Sequence, residues 1–321
     1  MSRIFLAALG EDYAPAIAGG FRWLGEAGAI KPGTRVAIKP NLTFPVYREG
    51  VMTSPAAVMA LLEYLKKHTD RITLCEADSG GYNRFSMDEV FRATGLADFA
   101  KRLGVRVVNL SGEPSRPIEV KAGRRALRIP LPSLLLDETD LFITMPVPKV
   151  HLNTGVSFGI KNQWGVIQEP ALRLKVHPWF NEVVYAVNKA MPRTLVVMDG
   201  RFGLNRSGPL LGDPVRLDWL MLSDSLFHAD LAAAGLIGVD WRRVPHLVYA
   251  MRREGITSLD GVEWSAPPEG FRRGPFHLRR KWTDYPGVVC FNSRFAAWLG
   301  YESFLARPLH WLLYRFREPF Y

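Results

Sequence analysis

Four short runs rich in β-branched residues, each closing on a turn, constrain this chain most: Arg35-Val36-Ala37-Ile38-Lys39, Arg71-Ile72-Thr73-Leu74-Cys75, Val105-Arg106-Val107-Val108-Asn109 and Leu141-Phe142-Ile143-Thr144-Met145. Short apolar runs bounded by turn residues are the mark of strands buried on both faces, as parallel sheets require. Between the first two, Ser54 stands where an N-cap belongs and Pro55 at the first helical position. Val58, Leu61, Leu62 and Leu65 then form one apolar stripe. A second helical window covers about Met87 to Leu103, with an interruption near Gly95. This alternation predicts an α/β fold, a mostly parallel sheet with helices on both faces. Residues 116–130, turning near Gly123, predict a β-hairpin insertion. Thr194 to Met198 is expected as a strand ending in Asp199-Gly200, Leu217 to Leu222 as another, and Leu226 to Ile237 as a helix of small residues.

The 321 residues suffice for one large α/β domain over 1–270, or two lobes meeting near 150–165. With 48% hydrophobic and 22% charged residues, disorder is excluded. The net charge of +10 favours anionic partners. From Phe271 the composition changes. Residues 271–321 hold nine Lys/Arg against three Asp/Glu and carry fourteen aromatic side chains, which predicts a basic, aromatic, helical C-terminal tail. There, Trp298, Leu299, Phe304, Leu305, Leu309, Leu312 and Leu313 mix with Arg294, Arg307, Arg315 and Arg317. That pattern suits contact with an anionic membrane surface as well as packing on the domain as a final helix. Nucleic acid is not an expected partner, because no reader motif organises the basic residues. The N-terminus turns acidic too soon for a signal peptide and no apolar run reaches spanning length, so the expected location is cytoplasmic, with peripheral contact at the inner membrane face open to the tail. Two cysteines, Cys75 and Cys290, cannot build a four-thiolate cluster, so no intrinsic iron–sulfur centre is expected.

In open parallel sheets ligands bind at the carboxyl ends of the strands. Four such places carry chemistry. Lys39-Pro40-Asn41 offers an anion-binding lysine, or one whose stem packs while its head reaches solvent. Glu76-Ala77-Asp78-Ser79-Gly80-Gly81 offers two carboxylates for metal or proton chemistry, or a turn with a helix cap. The densest place runs from Met145-Pro146-Val147-Pro148 through Lys149, His151, Asn153, Gly155 and Gly159 to Lys161 and Asn162. Histidine titrates near neutrality, lysine holds anions or forms adducts, and glycines let a ligand approach the backbone. At the fourth, Asp199 is placed to orient a base, or to cap a neighbouring N–H. The candidate catalytic residues are thus His151, Lys149, Lys161 and Asp199. The candidate substrate-binding residues are Lys39, Asn41, Ser54, Ser79, Asn153, Gly159 and Asn162, with Glu76 and Asp78 as candidate metal ligands. His177 and Asp230 are read as structural.

At these residues the chain resembles the family known as domain of unknown function 362, found in bacteria and archaea. The resemblance rests on Ile38-Lys39-Pro40-Asn41, Thr53-Ser54-Pro55, Glu76-Ala77-Asp78-Ser79, Pro148-Lys149-Val150-His151, Gly159-Ile160-Lys161-Asn162, Val197-Met198-Asp199-Gly200, the segment Asp230 to Gly238 and Val244-Pro245-His246. Many members of that family carry a ferredoxin-like cluster segment, whose cysteines are absent here. More distantly, the chain is similar to the lactate racemase superfamily, which implies a nickel-pincer nucleotide on Lys161 and a proton-shuttling His151. The further histidines of that pattern do not fall at matching places. Three functions compete on these grounds: an isomerase, racemase or lyase acting on a small anionic carboxylate or phosphate; a redox enzyme drawing on a separate electron-donor protein; and a peripheral membrane or interaction protein working through its tail.

Overall fold

The computed structural model describes residues 1–26, 28–79 and 85–316. The chain opens with β1 (Arg3–Ala8), α1 (Ala14–Trp23), β2 (Val36–Pro40), α2 (Pro55–Lys66) and β3 (Ile72–Glu76). Next come α3 (Met87–Ala93), α4 (Leu96–Arg102) and β4 (Arg106–Asn109). The hairpin of β5 (Ser115–Ala122) and β6 (Arg125–Pro132) leads through α5 (Ser133–Asp137) to β7 (Leu141–Met145). After the prolines follow β8 (Lys149–His151), β9 (Gly155–Ser157), α6 (Gly159–Asn162), α7 (Pro170–Lys175) and α8 (Phe180–Ala190). Strands β10 (Arg193–Asn205) and β11 (Asp213–Ser223), helices α9 (Leu226–Leu236) and α10 (Pro245–Glu254), and β12 (Glu263–Trp264) complete the sheet and its cover. Helices α11 (Tyr285–Asn292), α12 (Arg294–Tyr301) and α13 (Ala306–Phe316) end the described chain.

The main sheet has the order β12-β1-β11-β10-β7-β2-β3-β4. From β10 to β4 every pairing is parallel, and β11 runs antiparallel between β1 and β10. The four runs singled out in the sequence are β2, β3, β4 and β7, which form the parallel half. The central β2 and β7 are buried at every residue, which is why their sequences show no alternation. Side chains still point alternately to two cores. Ile38, Ile143 and Val197 face one lined by α1 to α4. Ala37, Phe142, Val196 and Met198 face the other, lined by α8, α9, α10 and the β5–β6 hairpin.

Two expectations change. β10 does not end at Asp199-Gly200; it continues to Asn205, held by β11 across a register shift between Gly200 and Phe202. Gly200 makes this pairing feasible, since any Cβ there would overlap the indole of Trp219. Ser54 occupies the N-cap position of α2, but its hydroxyl makes no capping bond. Its backbone N–H instead donates to Asp199 Oδ2 at 2.8 Å.

The C-terminal helices pack back toward the middle of the chain. Phe291 of α11 meets the His177 ring edge-on at 5.2 Å, Arg294 lies over Trp179 at 5.3 Å, and Lys175 pairs with Glu302 at 3.3 Å. Among the described residues no helix is long and apolar enough to cross a membrane.

Candidate functional site

The prolines after β7 stop that strand and release the chain into a small antiparallel hairpin. Lys149 lies opposite Ser157, Val150 opposite Val156 and His151 opposite Gly155. Gly155 has φ +83°, a left-handed backbone that a side chain would strain, and this closes the turn. Val150 points into the core while Lys149 and His151 share the other side of the strand. The next turn of chain, α6, carries Lys161. It is anchored from a distance: Asp230 of α9 accepts the N–H groups of Gly159 at 2.7 Å and Ile160 at 2.9 Å. Gly159 must be glycine for this approach, because a Cβ would stand 2.6 Å from Leu226 and 2.8 Å from Asp230. Burial nevertheless pushes the Asp230 carboxyl up to about 8 against the lowering effect of those two bonds.

Positive groups outnumber anions here: Lys39, Lys149, Lys161 and Arg173 share the field of one buried carboxylate, Glu76, which Lys39 already holds. The Lys161 ammonium has no hydrogen bond or ion pair among the described residues; its contact is the face of Phe180, 5.9 Å from the ring centre. Burial, then the charges of Arg173 and Lys39, push Lys161 down to about 7. Lys149 is buried, donates to the Val51 carbonyl at 2.7 Å, and is likewise pushed down to about 7 by burial and by Lys161. His151 lies well below its ordinary range, from burial and from Lys161, Lys149, His177 and His246. Its Nδ1 accepts the Asn153 N–H at 3.1 Å, so the neutral ring carries its proton on Nε2.

Phe180 is the hub of this cluster. Its ring stacks on His177 at 5.2 Å, meets His246 edge-on at 5.5 Å and lies 4.7 Å from Trp164. Burial and Lys161 lower His177 to about 4 and His246 to about 3. Among the described residues His177 Nδ1 and His246 Nε2 are buried without a hydrogen-bond partner. A buried polar atom left unpaired in this way costs stability, so these nitrogens are available to something the chain does not itself supply. Sequence reasoning set His177 aside and gave His246 no chemical role. The Phe180 contact that gathers them is tertiary, and the only signal in the sequence was the His-Pro-Trp-Phe run at 177–180, a titratable ring inside an aromatic cluster.

The other candidates are brought close or turned inward. Lys39 is buried and pairs with Glu76 at 2.8 Å, and Gly165 closes over the pair. Asn162 donates to Thr144 Oγ1 at 2.8 Å and to the Lys39 carbonyl at 3.3 Å, which ties α6 to the ends of β7 and β2. Asn41 donates to the Val51 carbonyl at 3.0 Å, the same oxygen that Lys149 holds. Asp78 accepts Met87 N–H at 2.7 Å and Asn109 at 3.1 Å, as a cap does. Ser79 lies 3.4 Å from the Thr43 carbonyl, and Gly80-Gly81 fall outside the described residues. Among the described residues no three His, Cys, Asp or Glu side chains are grouped to hold a metal ion, and Glu76 and Asp78 have partners within the chain. Arg173, not singled out beforehand, is buried and donates to the carbonyls of Ile167, Asp78 and Gly165.

Asp199 stands apart. It shares the opposite face of the sheet with Val197 and accepts Tyr13 Oη at 2.9 Å, Ser54 N–H at 2.8 Å and Arg201 N–H at 3.1 Å. Burial raises its carboxyl, and its partners identify it as the anchor joining α1, α2 and β10. It orients no histidine.

With this geometry in view, comparison with known proteins adds a frame. The model of the family described as "Domain of unknown function (DUF362)" matches residues 36–235, well over half the chain. The chain belongs to the DUF362 family. The match covers β2 through α9 and with it Lys149, His151, Lys161, His177 and Asp230; His246 and the C-terminal helices lie beyond it. This DUF362 chain is 24% identical to a thylakoid-associated protein of Synechocystis, over 71% of its own length and 70% of that protein's. The lactate racemase apoprotein from Thermoanaerobacterium thermosaccharolyticum superposes with a TM-score of 0.41 at 14% identity, over 61% of this chain and 50% of that one. A protein from Thermotoga maritima superposes with a TM-score of 0.47 at 13% identity, over 72% and 60%. This chain therefore spans about half to three fifths of those two structures.

Proposed function

We propose that this DUF362 protein is an enzyme that moves a proton on a small anionic substrate bearing a carboxylate or phosphate, an isomerase, racemase or lyase. One observation carries the reading: Lys161, half-buried with no anionic partner among the described residues, beside the buried Lys149 and three imidazoles. Cations kept together without anions are unfavourable in the empty protein and favourable once an anion enters. An amine that titrates near 7 is half unprotonated at neutral pH, which suits a general base.

In this scheme Lys149 and the positive field hold the substrate anion. For a carboxylate substrate, Lys161 Nζ takes a proton from the carbon beside the carboxyl group, leaving the electron pair on the substrate as an enolate-type anion. His151, neutral and protonated on Nε2, donates a hydrogen bond to the oxygen where that charge gathers. In a racemase or isomerase the proton then returns from Lys161 to the same or a neighbouring carbon. In a lyase the electron pair expels a group from the next carbon, and the departing group takes the proton from Lys161. Neither route consumes an oxidant or reductant. Phe180, Trp164 and Phe291 shield the transfer from water. Peripheral contact with a membrane is a separate reading, which the thylakoid association named for the Synechocystis relative supports without assigning a face.

The test is a calorimetric screen of small carboxylates and phosphates followed by proton NMR of any binder in deuterated water. Exchange of a carbon-bound proton that stops in Lys161→Ala is expected. Exchange that survives both Lys161→Ala and His151→Gln sinks the scheme.

A further inference from the structure

We propose that α11, α12 and α13 form a docking platform for an anionic phospholipid surface, a property independent of the proton-transfer reading. Ten of the thirteen exposed large hydrophobic side chains among the described residues fall between Trp282 and Leu312. Phe304 is 87% exposed, Trp282 83% and Phe295 69%, values that a fold without a partner for this surface does not favour. The inner sides of the same helices are used up: Ala297 and Ala306 are buried, and His310 Nε2 lies 2.9 Å from the Gly300 carbonyl. What faces outward is therefore the aromatic and leucine-rich side, with Leu305, Leu309 and Leu312 at helical spacing.

Charge selects the occupant. Arg294, Arg307 and Arg315 are exposed among these apolar groups, and Arg315 lies over Trp311 at 4.7 Å. The acidic residues of these helices and their approach are engaged, Asp284 by the Lys281 N–H at 2.7 Å and Glu302 by Lys175. A second copy would bring two sets of these arginines into one interface with no free carboxylate among the described residues of the three helices, which opposes self-association through this face. A bilayer with anionic headgroups meets both needs, taking up the rings at the interface and pairing with the guanidinium groups. Among the described residues these helices have 8, 8 and 11 residues, too few to span a bilayer, so in this docking they lie in its plane. Because Phe291 touches His177 and Arg294 covers Trp179, docking brings the wall of the candidate site to the lipid surface.

Cosedimentation of the full chain with vesicles tests this, using phosphatidylcholine alone and phosphatidylcholine mixed with phosphatidylglycerol. The protein is expected to pellet with the mixed vesicles and weakly or not at all with the neutral ones. Arg307→Ala and Arg315→Ala should each weaken binding by about fivefold, the effect of one basic side chain near an anionic surface. Phe295→Ser with Phe304→Ser should abolish pelleting while leaving the urea unfolding curve unchanged, since both side chains are exposed. The proposal is overturned by a wild-type protein that stays in the supernatant, by equal binding to both vesicle types, or by a wild-type dimer in light scattering that the serine variant dissolves. None of these outcomes reads proton exchange, so this proposal and the enzymatic one fail separately.

Discussion

Replacing Lys161 with methionine should make the ligand-free protein more stable and, in the same step, weaken its hold on an anion. Burial and neighbouring charge bring the ammonium from its ordinary 10.5 to about 7. A drop of that size corresponds to a cost near 4 kcal/mol at neutral pH, since each pH unit is worth about 1.4 kcal/mol. Lys161 is only half-buried by accessible area, and solvent reaching it screens the field, which reduces the expected gain to about 1–3 kcal/mol. Methionine keeps the length of the side chain and its contact with Phe180, so little packing is lost. The sign with pH follows from proton counting. Between about 7 and 10.5 the unfolded chain keeps the Lys161 proton while the folded chain has released it, so wild-type stability rises with pH across that window. The advantage of Lys161→Met is therefore largest at and below pH 7 and shrinks toward pH 10.5. Urea unfolding of both proteins across this range, with and without a bound carboxylate, measures it. A methionine variant less stable than wild type at neutral pH, or an advantage that does not shrink as pH rises, would refute the claim that Lys161 is an uncompensated cation.

Further outcomes follow from the same contacts. Glu76→Gln leaves the buried Lys39 ammonium without its carboxylate and should cost about 3–5 kcal/mol in urea unfolding, most of it recovered when Lys39→Met is added. Gly159→Ala forces a methyl group against Leu226 and Asp230 and should destabilise by about 1–3 kcal/mol while weakening anion binding measured by calorimetry. Asp199→Asn should lower thermal stability through the α1–α2–β10 junction yet leave anion affinity unchanged; a loss of affinity would join two clusters that the sheet separates. Anion affinity itself should fall as pH rises through about 7, because Lys149 and Lys161 lose their charges there, and a flat profile would speak against both lysines as ligands.

The parallel half of the sheet was open to reading because burial on both faces leaves an apolar signature in β2, β3 and β7, and the edge strand β4 shows through Val107-Val108 despite its exposed Arg106. The β5–β6 hairpin and the break at Gly95 were equally plain, the latter because the residue sits at φ +75° between α3 and α4. Lys149, His151 and Lys161 could be picked out because they are close in sequence and end a strand. Lys39 stood out as a lysine at a strand end, but its partner Glu76 lies 37 residues away and no local pattern pairs them. His177 and His246 reach the cluster only through Phe180, and Asp230 reaches α6 from 71 residues away, so each looked like an ordinary residue of its own helix or turn. Asp199 does accept neighbouring N–H groups, as one of its two readings had it, but the strand end placed there was wrong. Its Asp-Gly looks like a strand end, whereas Gly200 is there to admit Trp219.

The two-residue spacing of Lys149 and His151 on a strand whose middle residue is core has a consequence for how the gene can vary. Strand faces alternate strictly, so inserting or deleting one residue between Met145 and Lys149 would turn Val150 outward and drive an ammonium and an imidazole into the hydrophobic layer. Point changes in Pro146-Val147-Pro148 are survivable by comparison. This stretch should therefore behave as a fixed-length ruler: in an insertion-and-deletion library selected for folding, single-codon length changes there should be purged, while the same changes near the exposed Gly123 turn persist.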